Sequence, residues 1–151
     1  MKLRIVALGH RMPAWVDAGY AEYARRIDLD LVELKPEPRA QGKPVAQLLA
    51  AEAARIRAAC AGYLMVVLDE RGKPWSTREL AAKLARWKDE AQYVAFVIGS
   101  ADGLDPLLKR EAAATVALSS FTLPHGLVRV MMAEQLYRAA SVNAGHPYHR
   151  E

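Results

Sequence analysis

Short apolar runs alternate with stretches of helical period from one end of the chain to the other. That alternation predicts an α/β fold with a mainly parallel sheet, because parallel strands need crossovers and the crossover is usually a helix. Residues 2–8 read as the first strand, ended by Gly9. Residues 13–27 read as a helix in which Trp15, Tyr20, Tyr23 and Ile27 recur near a helical spacing. A second strand is expected over 29–34, and a helix over 45–61 with Val45, Leu48, Leu49, Ile56 and Cys60 near one face. Residues 63–69 and 93–98 have the unbroken apolar character of buried strands. Between them, Ser76-Thr77-Arg78-Glu79 is a capping box opening a helix that runs to about residue 89. Asp105 and Pro106 suit the N-cap and first position of the next helix. A brief strand is expected over 116–119, then a last helix over 127–143 that Gly145 ends.

Composition adds bounds to this picture. A chain of 151 residues, 52% hydrophobic and 25% charged, is long enough to bury a core as one domain over 1–151. No apolar run is long enough to span a bilayer, and Lys2 and Arg4 stand where a signal peptide needs apolar residues. Cys60 is the single cysteine, which excludes an internal disulfide and a cysteine-based zinc cluster. A cytoplasmic protein with no membrane partner and no metal is therefore expected. The net charge of +4 allows a polyanionic partner without requiring one.

Ligands of open α/β sheets bind beyond the carboxyl ends of the strands, which singles out residues 68–75, 99–103 and 119–125. Gly99-Ser100-Ala101-Asp102-Gly103 fits either a ligand loop or a plain strand-to-helix turn. Residues 35–43 hold two prolines, a glycine and the cations Lys35, Arg39 and Lys43, a solvated loop within reach of phosphate or merely at the surface. No Rossmann, P-loop or nucleophile-elbow pattern is present, and His10, His125, His146 and His149 are scattered. The ending His146-Pro147-Tyr148-His149-Arg150-Glu151 concentrates groups suited to stacking on bases and holding phosphate.

Three stretches resemble one family: Leu68-Asp69-Glu70-Arg71-Gly72-Lys73-Pro74-Trp75, Leu123-Pro124-His125-Gly126-Leu127-Val128-Arg129, and His146-Pro147-Tyr148-His149-Arg150. Met12-Pro13-Ala14-Trp15-Val16, Arg86-Trp87-Lys88 and Leu136-Tyr137-Arg138-Ala139 extend the match over essentially the whole chain. These residues are similar to those of the ribosomal RNA large subunit methyltransferase H family, of the SPOUT class. The resemblance implies a C-terminal trefoil knot, which general topology rules would not suggest. It also implies S-adenosylmethionine as cofactor and transfer of a methyl group to N3 of a pseudouridine in large-subunit ribosomal RNA, on assembled ribosomes.

Carried over residue by residue, the cofactor would be lined by Leu68, Gly99, Ser100, Gly103 and the run Leu118, Ser119, Ser120, Phe121, Thr122 and Leu123. Where the family commonly has Gly-Gly-Pro-Glu-Gly, this chain has Gly99-Ser100-Ala101-Asp102-Gly103, which adds a side chain and removes a rigid proline. Arg138, Tyr148 and His149 are expected at the target nucleotide: Arg138 on developing carbonyl charge, His149 as proton acceptor, Tyr148 stacking or donating. The competing reading of Arg138 is a helix salt bridge to Glu134. A homodimer would bring the tail of one chain to the cofactor of another, with Val130, Met131 and Tyr137 as a seam. The alternatives are a catalytically silent ribosome-binding dimer and a knotted methyltransferase acting on transfer RNA.

Overall fold

A computed structural model of the chain describes residues 2–39 and 42–150; Ala40 and Gln41 of the expected loop lie outside the described residues. Among these, five strands form one parallel sheet: β1 (Leu3–Leu8), β2 (Leu29–Leu34), β3 (Leu64–Pro74), β4 (Val94–Ile98) and β5 (Ala114–Ala117). Their spatial order is β2-β1-β4-β3-β5. Five α-helices complete the framework: α1 (Ala14–Ala24), α2 (Val45–Ala59), α3 (Thr77–Asp89), α4 (Pro106–Glu111) and α5 (His125–Asn143). A 3₁₀ turn, Pro147–Arg150, follows.

Strand alternation divides the core into two layers. Leu3, Ile5 and Ala7 of β1, with Val94, Phe96 and Ile98 of β4, face Leu80, Leu84 and Trp87 of α3 and Met132, Leu136 and Ala139 of α5. Val6, Leu8, Val67, Ala95 and Val97 point the other way, onto Ala53 and Ile56 of α2 and Leu108 of α4. The capping box opens α3 as expected: the Glu79 amide donates to Ser76 Oγ at 3.1 Å, and the Ser76 amide to Glu79 Oε2 at 2.6 Å. Cys60 is buried, and burial pushes its thiol up to about 11, so it behaves as a small hydrophobe.

Several boundaries differ from expectation for physical reasons. The last strand is Ala114–Ala117, two residues earlier than 116–119, because it takes its register from β3. β3 itself runs on to Pro74, where a loop was expected, since Lys73 and Pro74 pair with Val116 and Ala117. Val116 therefore faces β3 twice, opposite Leu68 and opposite Lys73, and the residues between bow outward. Only glycine fits at 72, because a Cβ there would lie 2.7 Å from the backbone of Val116. Asp105 precedes α4 but makes no side-chain cap bond; its carboxylate lies 3.9 Å from Arg57. Tyr20 and Ile27 pack on the core, whereas Trp15 is 58% exposed and Val16 takes the buried position.

Candidate active site

The carboxyl ends of β3, β4 and β5 open into a cleft of about 680 Å³, a size common for cofactor sites. Its apolar walls are Leu68, Ile98, Leu104, Leu118, Leu123 and Val128. Two irregular segments form the rim: residues 99–103 after β4, and residues 118–124 between β5 and α5. Of the expected cofactor residues, Leu68, Gly99, Ser100, Gly103, Leu118, Ser119, Phe121, Thr122 and Leu123 line this cleft. Ser120 belongs to the same segment but is not among the lining residues.

The rim is held by polar side chains from several elements. Asp69 accepts from Lys109 Nζ at 2.7 Å and from the Arg71 amide at 2.8 Å. Burial raises the Asp69 pKa, but those donors outweigh it and keep the carboxyl below the usual range. Thr122 Oγ1 donates to Glu70 at 3.2 Å, and the Phe121 amide donates to Ser119 Oγ at 2.9 Å. A Cβ on Gly99 would meet the Gly103 carbonyl at 2.7 Å, so the turn closes only on glycine.

His125, at the start of α5, fixes the loop from the helix side. Arg129 Nε donates to His125 Nε2 at 3.0 Å. A guanidinium only donates, so the imidazole proton sits on Nδ1 and points to the Gly99 carbonyl at 3.3 Å. Burial and the Arg129 charge hold the His125 pKa below its ordinary value. The ring is thus neutral with its lone pair occupied, which suits a structural donor and not a general base. Arg129 is 0% exposed and pairs with Glu33 of β2 at 2.7 Å.

The three residues expected at the target nucleotide gather elsewhere. Arg138 lies more than three turns along α5 from His125, about 20 Å by helix rise, and none of Arg138, Tyr148 and His149 lines the cleft. Glu134 organises them. It accepts from Arg138 Nη2 at 2.7 Å, the helix salt bridge weighed as the competing reading, and from Tyr148 Oη at 2.8 Å. The Arg138 guanidinium also lies 4.9 Å from the centre of the Tyr148 ring. Burial works to raise the Glu134 pKa, but bonds from Arg138 and Tyr148 prevail and hold it low. Burial, then the bond to Glu134, raises the Tyr148 pKa, so the phenol stays a neutral donor. His149 Nδ1 faces the His146 carbonyl, which only accepts, so Nδ1 carries a proton and Nε2 is the ring nitrogen that this carbonyl does not engage.

The expected seam on α5 is partly used within the chain. Val130 packs against Gly19 of α1, and Tyr137 lies between the rings of Tyr23 and Tyr148. Among the described residues no three His, Cys, Asp or Glu side chains converge as metal ligands, and no helix is long and apolar enough to cross a membrane. Sequence reasoning missed the roles of Glu52 and Arg129, and of Glu134 it named only the salt bridge to Arg138. The first two were signalled by charges on otherwise apolar helix stripes, Glu52 beside Leu48, Leu49 and Ile56, and Arg129 beside Met132 and Ala133.

A parallel sheet with irregular loops around a crevice at its strand ends defines an α/β protein with a cleft at the place where such sheets bind ligands. Comparison with known proteins narrows this. Residues 1–149 match the family described as "Predicted SPOUT methyltransferase". The chain is 53% identical over 155 residues to ribosomal RNA large subunit methyltransferase H of Nitrosospira multiformis, covering 99% of each. It is 52% identical to the protein of that name from Ralstonia pickettii, with the same coverage. Among solved structures, a probable methyltransferase from Bordetella pertussis shares the fold at TM-score 0.60 and 22% identity, covering 91% of this chain and 95% of that one. The tRNA (m1G37) methyltransferase of Aquifex aeolicus does so at TM-score 0.54 and 12% identity, covering 91% and 70%. The chain belongs to the SPOUT methyltransferase family.

Proposed function

We propose that this protein transfers a methyl group from S-adenosylmethionine to N3 of a pseudouridine in large-subunit ribosomal RNA, on assembled ribosomes in the cytoplasm. The observation that carries the reading is the cleft at the strand ends, in a chain half identical along its whole length to proteins named for that RNA. The cleft's donor set fits the cofactor. Leu68, Leu118 and Leu123 offer apolar surface to an adenine ring, and the 99–103 backbone offers polar groups. In the same reading the C-terminal part of the chain forms the trefoil knot that the resemblance implies, with the 99–103 and 118–124 segments around the cofactor.

When bound, S-adenosylmethionine supplies an electrophilic methyl group on a sulfonium centre. The chain must align the target and remove the proton of the ring N–H. His149, whose Nδ1 is taken by the His146 carbonyl, presents Nε2 as the acceptor of that proton. Arg138, fixed by Glu134, stabilises charge developing on a neighbouring carbonyl oxygen, and Tyr148 stacks on or donates to the base. Because this cluster stands well apart from the cleft of its own chain, the working site takes the cleft of one subunit and the tail of a second.

Two surface features suit an RNA partner. Phe121, 79% exposed at the cleft rim, offers a face for stacking. A second groove is lined by the cations Lys73, Lys83 and Arg86, by Trp75 and Ala82, and by the one carboxylate Glu79, with Lys83 Nζ 4.7 Å from the centre of the Trp75 ring. Incubation with methyl-labelled S-adenosylmethionine and unmodified ribosomes tests the proposal, with free ribosomal RNA and transfer RNA in parallel. Label in the large-subunit RNA of ribosomes as a methylated pseudouridine is expected. Label in transfer RNA alone, or in no RNA, overturns it.

A further inference from the structure

The carboxylate of Glu52 is the most deeply buried acidic group of the described chain, 1% exposed on α2, with a position on the apolar stripe that no helix requirement explains. A buried charge persists only with partners. Glu52 Oε2 accepts from Arg39 Nη1 at 3.0 Å and from the Glu37 amide at 2.8 Å. Its other oxygen accepts from Ser100 Oγ at 3.1 Å. Arg39 spreads its remaining donors over the same place: Nη2 to Ser100 Oγ at 2.9 Å and Nε to Asp102 Oδ2 at 2.9 Å. Nη1 also reaches the Glu37 carbonyl at 2.7 Å. One guanidinium thus grips both polar side chains of the cleft's glycine turn, while the turn itself closes through the Gly103 amide on the Ser100 carbonyl at 2.9 Å.

We infer that Arg39 and Glu52 are positioning residues for the methyl-donor loop, fixing Gly99–Gly103 from behind through Ser100 and Asp102. The inference rests on the reading of the cleft as the S-adenosylmethionine site. Two consequences follow from the bonding. The Ser100 hydroxyl is engaged as both donor and acceptor in the clamp, so its side chain does not compete for the ligand. The turn, which has alanine and no proline at 101, gains its rigidity from a planar fork instead of a pyrrolidine ring. His125 holds the same turn at the Gly99 carbonyl, so the loop is tied at its first residue by α5 and at its second and fourth by the clamp. Neither Arg39 nor Glu52 lines the cleft, which separates positioning from direct contact.

The test is a double-substitution cycle on the full-length protein: Arg39→Ala, Ser100→Ala and both together. Affinity for S-adenosylhomocysteine is read by calorimetry, and hydrogen exchange of the 99–103 amides is read without ligand. If the clamp holds the binding-competent loop, each single change weakens binding about tenfold, by lowering the competent fraction. The double change then costs no more than Arg39→Ala alone, and the loop amides exchange faster in every variant. Arg39→Lys restores part of the affinity, since one ammonium cannot fork to both side chains. Arg39→Ala also leaves Glu52 without its cation, so Asp102→Ala, at the surface, serves as the variant that spares the buried pair. Additive losses, or unchanged affinity and exchange, overturn the inference. Faster loop exchange in a protein that never binds S-adenosylhomocysteine overturns the donor reading, and with it the ligand assigned to the clamp.

Discussion

At the strand ends, the charged side chains of this protein point inward and find partners on other elements. Glu52 of α2 meets Arg39 and Ser100, and Arg129 of α5 meets Glu33 of β2. At the chain's end the pattern is the reverse: Glu134 takes its partners from its own helix and from the tail just beyond it. The first arrangement ties distant segments into a cleft complete within one chain. The second is local and leaves the faces of Tyr148 and His149 half-exposed on a short 3₁₀ turn. A cleft so thoroughly braced needs little from a partner to bind its ligand. The proposed role of the tail, assembled away from that cleft, is what calls for a second copy.

Gly72→Ala strikes the braced region hardest. The added Cβ would sit 2.7 Å from the Val116 backbone, so β3 and β5 must part, at about 2–3 kcal/mol. A loss of that size in the melting free energy, together with loss of S-adenosylhomocysteine binding, is expected. Unchanged affinity would show that the bow of β3 is not what shapes the cleft. Tyr148→Phe probes the tail with a far smaller structural effect. It removes the bond to Glu134 at a cost of about 1 kcal/mol in stability, leaves cofactor affinity alone, and lowers the transfer rate at saturating substrate. Weaker cofactor binding by this variant would mean that the tail touches the cofactor and not the target nucleotide alone.

The smallest expected effect is a dependence on pH. The folded His125 pKa lies below its ordinary value through burial and the nearby Arg129 charge. The unfolded chain, titrating near pH 6.5, therefore takes up the proton first as pH falls. Its contribution is complete above that pH and is lost as pH drops from there toward the folded pKa. Melting curves of the wild type and His125→Asn should accordingly converge as pH is lowered through that window. Curves that stay parallel would mean that the Gly99 contact does not depend on a neutral ring.

Much of this was legible along the chain because its causes are local. Apolar runs and helical periods located β1, β2 and β4, and the Ser76–Glu79 capping box located α3, within a residue or two. The extension of β3 and the shift of β5 were not, since both follow from pairing between segments distant in sequence. Of the residues that resemblance put at the cofactor, all but Ser120 line the cleft, whose place the strand ends had indicated; Ile98, Leu104, Lys109, His125 and Val128 line it too and were not among them. The clamp was hidden for the same reason as the strand shift. Arg39 and Ser100 stand 61 positions apart, and a cation in a proline-rich loop looks like solvent-facing charge until the fold brings Glu52 beneath it.

Subunit complementation tests the composite site most directly. Chains carrying His149→Ala keep the cleft and lose the tail, and chains carrying Gly72→Ala keep the tail and lose the cleft. Each alone is expected to be inactive in labelling ribosomes. After mixing and re-association, half the dimers are hybrids with one intact site each, so activity should return to about a quarter of wild type. No recovery, with hybrids demonstrated by mass, would contradict a site shared between two chains.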